Sequence, residues 1–172
     1  MGQFDRHGVS VAGEPSAVHR DKDFYAWLVE QAALLRSGNH TALDSMNVAE
    51  ELEEMAAEQC GKVVSLLRVI LVHLLKWQYS RVRRSENSWR TSLVWARTDL
   101  VDLLGDSRTL HNEMATLLAK AYRGARSVAG IEMRLTRREW QSLFPETCPW
   151  TEFEVLDEDF LPAISSNADG RS

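Results

Sequence analysis

A chain of 172 residues, 44% hydrophobic and 26% charged, can bury about 70% of the surface its unfolded form exposes, so one domain needing neither disulfide nor metal is expected. The net charge of −5 excludes nucleic-acid binding by bulk attraction and leaves only local basic patches for such a role. Cys60 and Cys148, the two cysteines, lie far apart without metal-type spacing, which excludes a disulfide framework and points to a reducing compartment.

Residues 1–20 mix glycines, a proline, two histidines and scattered charges without a sustained period, and are expected to form a flexible leader. They lack the basic start and apolar core of a signal peptide. Asp23 is placed to cap a first helix with Phe24, Trp27, Leu28, Gln31 and Leu35 on one face, ended by Gly38. A second helix starts at Asp44 or Asn47. Its stripe of Leu52, Met55, Gln59, Val63, Leu66, Ile70, His73 and Trp77 predicts an inward face sustained to residue 79, about 54 Å at 1.5 Å per residue. The most apolar run, 63–75, is interrupted by Arg68 and His73 and is too short for about 30 Å of hydrocarbon. No membrane span and a cytoplasmic location are therefore expected.

Ser85 or Ser88 can cap a third helix with Trp89, Leu93, Ala96, Leu100, Leu103 and Leu104 inward, stopped by Gly105. Ser107 opens a fourth, with Leu110, Met114, Leu117, Leu118, Ala121, Ala125 and Val128 inward, stopped by Gly130. Thr136 with Glu139, and Thr151 with Glu154, have the spacing of capping boxes and announce two short helices, with Pro145 and Pro149 bracketing the turn between them. The expected fold is all-α: an antiparallel bundle of about four main helices with two short C-terminal helices packed across it. A single helical domain is expected over residues 21–162, followed by a disordered tail over 163–172.

Several stretches occur together in order: Asp-Phe-Tyr-Ala-Trp-Leu-Val-Glu-Gln-Ala-Ala-Leu-Leu-Arg-Ser-Gly (23–38), Leu-Asp-Ser-Met-Asn-Val-Ala-Glu-Glu-Leu-Glu-Glu-Met (43–55) and His-Leu-Leu-Lys-Trp-Gln-Tyr (73–79). Arg-Ser-Glu-Asn-Ser-Trp-Arg (84–90), Cys-Pro-Trp-Thr (148–151) and Val-Leu-Asp-Glu-Asp-Phe-Leu-Pro (155–162) follow. In this combination the chain resembles, over residues 21–162, the bacterial and cyanobacterial family called domain of unknown function 29. The resemblance implies a small all-helical protein. It brings no assigned activity, so no catalytic or binding residue is carried over.

Three constellations are candidates for function. At the joint between the second and third helices, Lys76, Arg81, Arg83, Arg84 and Arg90 surround Trp77, Tyr79 and Trp89. Arginines beside exposed indoles dock an acidic protein segment or hold phosphates and stack bases. The structural alternative is that helix-end cations and stacked guanidiniums serve the fold alone. Second, Glu51 and Glu54 head an acidic helix start and form, with His73, a candidate polar cluster. The carboxylates are expected to bond arginines such as Arg97 or Arg126 on neighbouring helices. A di-metal centre would need Glu-x-x-His on two helices, and the chain contains no such motif, so no metal or other cofactor is expected. His73, on the apolar stripe, reads as a hydrogen-bonded core residue, for it has no nucleophile at a useful spacing. Third, the six tryptophans read as packing residues, with Trp150 clamping the C-terminal segment.

There is no phosphate-binding glycine loop and no nucleophile elbow. The favoured reading is a non-enzymatic interaction or regulatory protein whose partner is another protein, met through Lys76, Trp77, Arg81, Arg83, Arg84, Trp89 and Arg90. Nucleic-acid binding by the same joint is the runner-up, and an enzyme or metal protein built on the acidic residues and His73 is the third. A homodimer follows if the long helix extends beyond the bundle.

Overall fold

The computed structural model describes residues 18–82, 84–105 and 107–165. Arg83, the expected leader up to residue 17 and the expected tail from 166 onward lie outside them. Six helices follow in order: α1 (Phe24–Ser37), α2 (Ser45–Tyr79), α3 (Glu86–Leu104), α4 (Arg108–Glu132), α5 (Arg137–Leu143) and α6 (Glu152–Leu156). No strand occurs among the described residues, and the fold is all-α.

Local chemistry sets most of these ends. The Asp23 carboxylate accepts from the Ala26 amide at 2.9 Å, and Gly38 closes α1 at φ 71°, a left-handed conformation that glycine adopts without a Cβ penalty. Asp44 caps α2, accepting from the Asn47 amide at 3.4 Å and from its side-chain nitrogen at 2.7 Å. Ser107 caps α4, while Ser85 precedes α3 without a side-chain capping bond. Both capping boxes are present, Thr136 with Glu139 and Thr151 with Glu154. Gly130, expected to stop α4, does not: the helix continues to Glu132. Its glycine serves packing instead. A Cβ there would clash with the Trp140 ring, so the missing side chain is what lets the indole lie against α4.

The chain divides into two compact units, Met1–Ala56 and Ala57–Ser172. Among its described residues the first buries few side chains: Trp27 and Gln31 on α1, and Ala42 in the link to α2. Trp27 stacks with Phe24, ring centroids 5.9 Å apart, and carries the Arg20 guanidinium 6.0 Å from its ring. Gln31 Oε1 accepts from the Asp44 amide at 2.8 Å, tying α1 to the start of α2. Arg20 adds bonds to Asn47 at 3.2 Å and Glu50 at 2.9 Å, and an ion pair with Glu51.

The second unit holds one continuous apolar core of 22 buried residues between Val63 and Val155, drawn from α2, α3, α4 and the segment beyond them. Its C-terminal segment is fastened by polar side chains. Arg97, only 1% exposed, donates to the carbonyls of Val155, Glu158 and Phe160 at 2.9, 3.0 and 3.0 Å. Tyr122 Oη donates to Pro145 O at 3.0 Å and Arg126 to Phe144 O at 3.1 Å. Trp150 is buried, as its reading as a clamp requires.

Four expectations are corrected. The inward stripe of α2 holds only from Val63, since Leu52 and Met55 are both 61% exposed and Gln59 is exposed. A period shows that a face is apolar, not that another element covers it. On α1, Phe24, Leu28 and Leu35 are exposed, with only Trp27 and Gln31 of the named face buried. Arg97 and Arg126 bond backbone carbonyls, not Glu51 or Glu54, because the ends of short helices leave carbonyls that need donors. Among the tryptophans, Trp95 departs from the packing expectation at 67% exposure.

Candidate functional site

At the joint the two halves of the expected site part company. Lys76, one turn from the end of α2, is 12% exposed along its side chain: its Nζ lies 2.6 Å from Glu132 Oε2 and 5.0 Å from the centroid of Trp89. Trp89 is itself buried at 6% and offers no face for a base to stack on. Helix-end attraction for cations and cation–π contact thus account for both residues within the fold. Trp77 is half-buried, while Arg81, Arg84 and Arg90 are exposed. Between α2 and α3, Ser80 Oγ accepts from the Val82 amide at 3.2 Å and donates to Val82 O at 3.1 Å, which turns the chain sharply after Tyr79.

His73 is half-buried at the edge of the core, and its Nδ1 has no hydrogen-bond partner among the described residues, so the expected bonded core histidine is corrected at that nitrogen. Burial lowers its pKa below the usual histidine value and nearby Lys76 lowers it further, with Glu132 opposing. Burial thus favours the neutral ring over the imidazolium. Glu51 is paired to Arg20, and Glu54 is exposed; both belong to the unit ending at Ala56, whereas His73 belongs to the other. Among the described residues no three His, Cys, Asp or Glu side chains are grouped as a metal ion would need. No described helix is long and apolar enough to cross a membrane. Burial pushes the Cys148 thiol up, which suits packing and not nucleophilic attack.

Two features escaped the sequence reading. One is a cavity of about 740 Å³ beside the exposed side of the joint, where Arg81 and Val82 meet Met133, Leu135, Arg138 and Leu143. Its parts lie more than fifty residues apart, and no local pattern links them. The other is the density of exposed apolar side chains before Ala56. Phe24, Tyr25, Leu28, Val29, Leu35, Met46, Leu52 and Met55 supply eight of the seventeen large apolar residues exposed among the described ones. A signal for this was present: Phe-Tyr-Ala-Trp-Leu-Val at 24–29 is apolar on every side of a helix, more than a single neighbour can cover.

The family described as "Domain of unknown function DUF29" matches residues 20–161. No curated protein and no solved structure matches the chain.

Proposed function

Since the chain belongs to the DUF29 family, whose description carries no activity, we propose from its own surfaces that it is a non-enzymatic interaction module. It binds a basic, amphipathic segment of another protein on the apolar face of residues 24–55. The observation that carries this is the set of eight exposed large apolar side chains packed into that short stretch. Large apolar side chains left exposed in such number are costly in water and mark interaction sites. Exposed residues on α1, among them Phe24, Leu28 and Leu35, recur at the spacing by which helices present anchors to a groove or to another helix.

Charge selects the partner. Residues 18–56 contain eight acids and three bases, so a second copy docking by the same face would bring like charges together. A lysine- or arginine-rich helix meets the acidic rim of Glu50, Glu53 and Glu54 instead, and attraction between the two speeds encounter and excludes acidic competitors. The unpaired thiols Cys60 and Cys148 fit work in the reducing cytoplasm.

Photo-crosslinking from position 46, where Met46 is exposed, tests the reading in the native cell. A basic protein is expected to be trapped, and Leu52→Glu with Met55→Glu is expected to abolish the crosslink while the fold persists. A product of twice the chain mass, or a crosslink that survives the double substitution, would overturn it.

A further inference from the structure

We propose that the groove between α2 and α3 binds an alkylammonium, an organic monocation with an apolar body, in a cavity lined by Gly61, Leu66, Asp99 and Leu103. The site uses none of the residues of the 24–55 face and stands independently of the role proposed for that face. Every residue lining the cavity belongs to the unit from Ala57 onward. At about 600 Å³ it falls within the range of about 300–1,000 Å³ typical of small-molecule sites. Leu66 and Leu103, both half-buried and packed against the core, supply an apolar wall. Gly61 leaves room beside it, for a Cβ there would meet nothing within 4 Å. The Ser65 hydroxyl donates to the Gly61 carbonyl at 2.9 Å and is thereby committed to α2.

The charges of the lining select the ligand. Glu58 and Lys62, one turn apart on α2, pair at 2.9 Å and cancel. On the α3 side the exposed Asp99 carboxylate forms no ion pair among the described residues, so one negative charge is left over. An ammonium group pairs with a carboxylate through charge-assisted hydrogen bonds. An anion would meet Asp99 with like charge, and an uncharged alcohol would leave it without a counter-charge. The groove continues toward the joint. Lys76, late in α2, lies 5.0 Å from the ring of Trp89, early in α3, while Leu66 and Asp99 share the cavity, so the two helices run antiparallel. One helical turn further along the same faces stand Val69, three residues after Leu66, and Trp95, four before Asp99, both exposed. The Trp95 indole thus offers an uncovered ring face near the proposed cation, and such a face attracts cations.

Titration calorimetry on the full chain with octylammonium, octanol and octanoate tests the assignment. Octylammonium is expected to bind saturably and at least tenfold more tightly than either control. Asp99→Asn keeps the shape of an exposed side chain and removes its charge. It is expected to weaken octylammonium at least tenfold, with helical circular dichroism unchanged. Gly61→Leu puts a side chain into the open space and favours the helix, so it is expected to fill the cavity and weaken octylammonium at least tenfold in a folded protein. This second variant decides the matter if Asp99→Asn does not fold. A capped Leu-Lys-Leu peptide, compared with octylammonium, separates a protein side chain from a free amine as the source. Absence of saturable octylammonium binding, octanol or octanoate bound as tightly as octylammonium, or affinity unchanged in folded Asp99→Asn or Gly61→Leu, would overturn the proposal.

Discussion

The stretch up to Ala56 and the stretch from Ala57 onward are made of the same material, amphipathic helix with capped ends, and end up energetically unlike. The second gathers 22 buried apolar residues into one cluster. Among its described residues the first buries two apolar side chains, Trp27 and Ala42, and otherwise relies on polar ties from Arg20, Gln31 and Asp44. Burial of an apolar side chain contributes about 1.5–3 kcal/mol, whereas an exposed ion pair such as Arg20 with Glu50 is screened by water and salt and adds little. One region therefore carries the stability and the other carries uncovered apolar surface. The lesson is that amphipathicity supplies a face, and only a covering element turns that face into core.

The sharpest way to break this contrast is at Arg97. Arg97→Ala removes three charge-assisted bonds and leaves the carbonyls of Val155, Glu158 and Phe160 without their donor, so a loss of about 3–5 kcal/mol in urea denaturation is expected. A loss below 1 kcal/mol would mean that the C-terminal segment is held by packing alone. Gly130→Ala tests the close approach of Trp140 to α4. Overpacking there is expected to cost about 1–3 kcal/mol, despite the better helix propensity of alanine, and a higher melting temperature would contradict the tight contact.

His73 sharpens the contrast through pH. Its folded pKa lies below its unfolded one, so the unfolded state takes up the proton first. Its contribution to stability is whole above the ordinary histidine pKa of about 6.5 and is lost as pH falls from there through the folded value. His73→Leu should therefore show a shallower loss of urea midpoint than the parent between pH 7 and pH 5. Parallel profiles would remove the burial argument. The smallest effect belongs to the first region: Leu52→Glu with Met55→Glu, the pair used against the proposed partner, should change stability by less than about 0.5 kcal/mol, for neither side chain is covered. A large loss would show that this face is core after all.

Where the protein's chemistry is local, the residues announced it. Asp23, Asp44, Ser107, Thr136 and Thr151 cap helices where their spacing says they should, because a cap needs only a side-chain oxygen two or three residues from an amide. The stripe from Val63 to Ile70 and those of α3 and much of α4 are core for a similar reason, since helical period alone aligns a face. The joint was legible only as a concentration of cations and indoles. That Lys76 pairs with Glu132, while Arg81 lines a cavity with Met133 and Leu135, depends on residues more than fifty positions away.

The sequence by itself determined an all-helical chain, its caps and its apolar faces, because these follow from interactions within a turn or two of backbone. Tertiary structure alone decided which faces are covered, which arginines bind carbonyls and which face a cavity. Burial and long-range hydrogen bonding are properties of neighbours in space, and a one-dimensional pattern carries no record of which neighbour arrives.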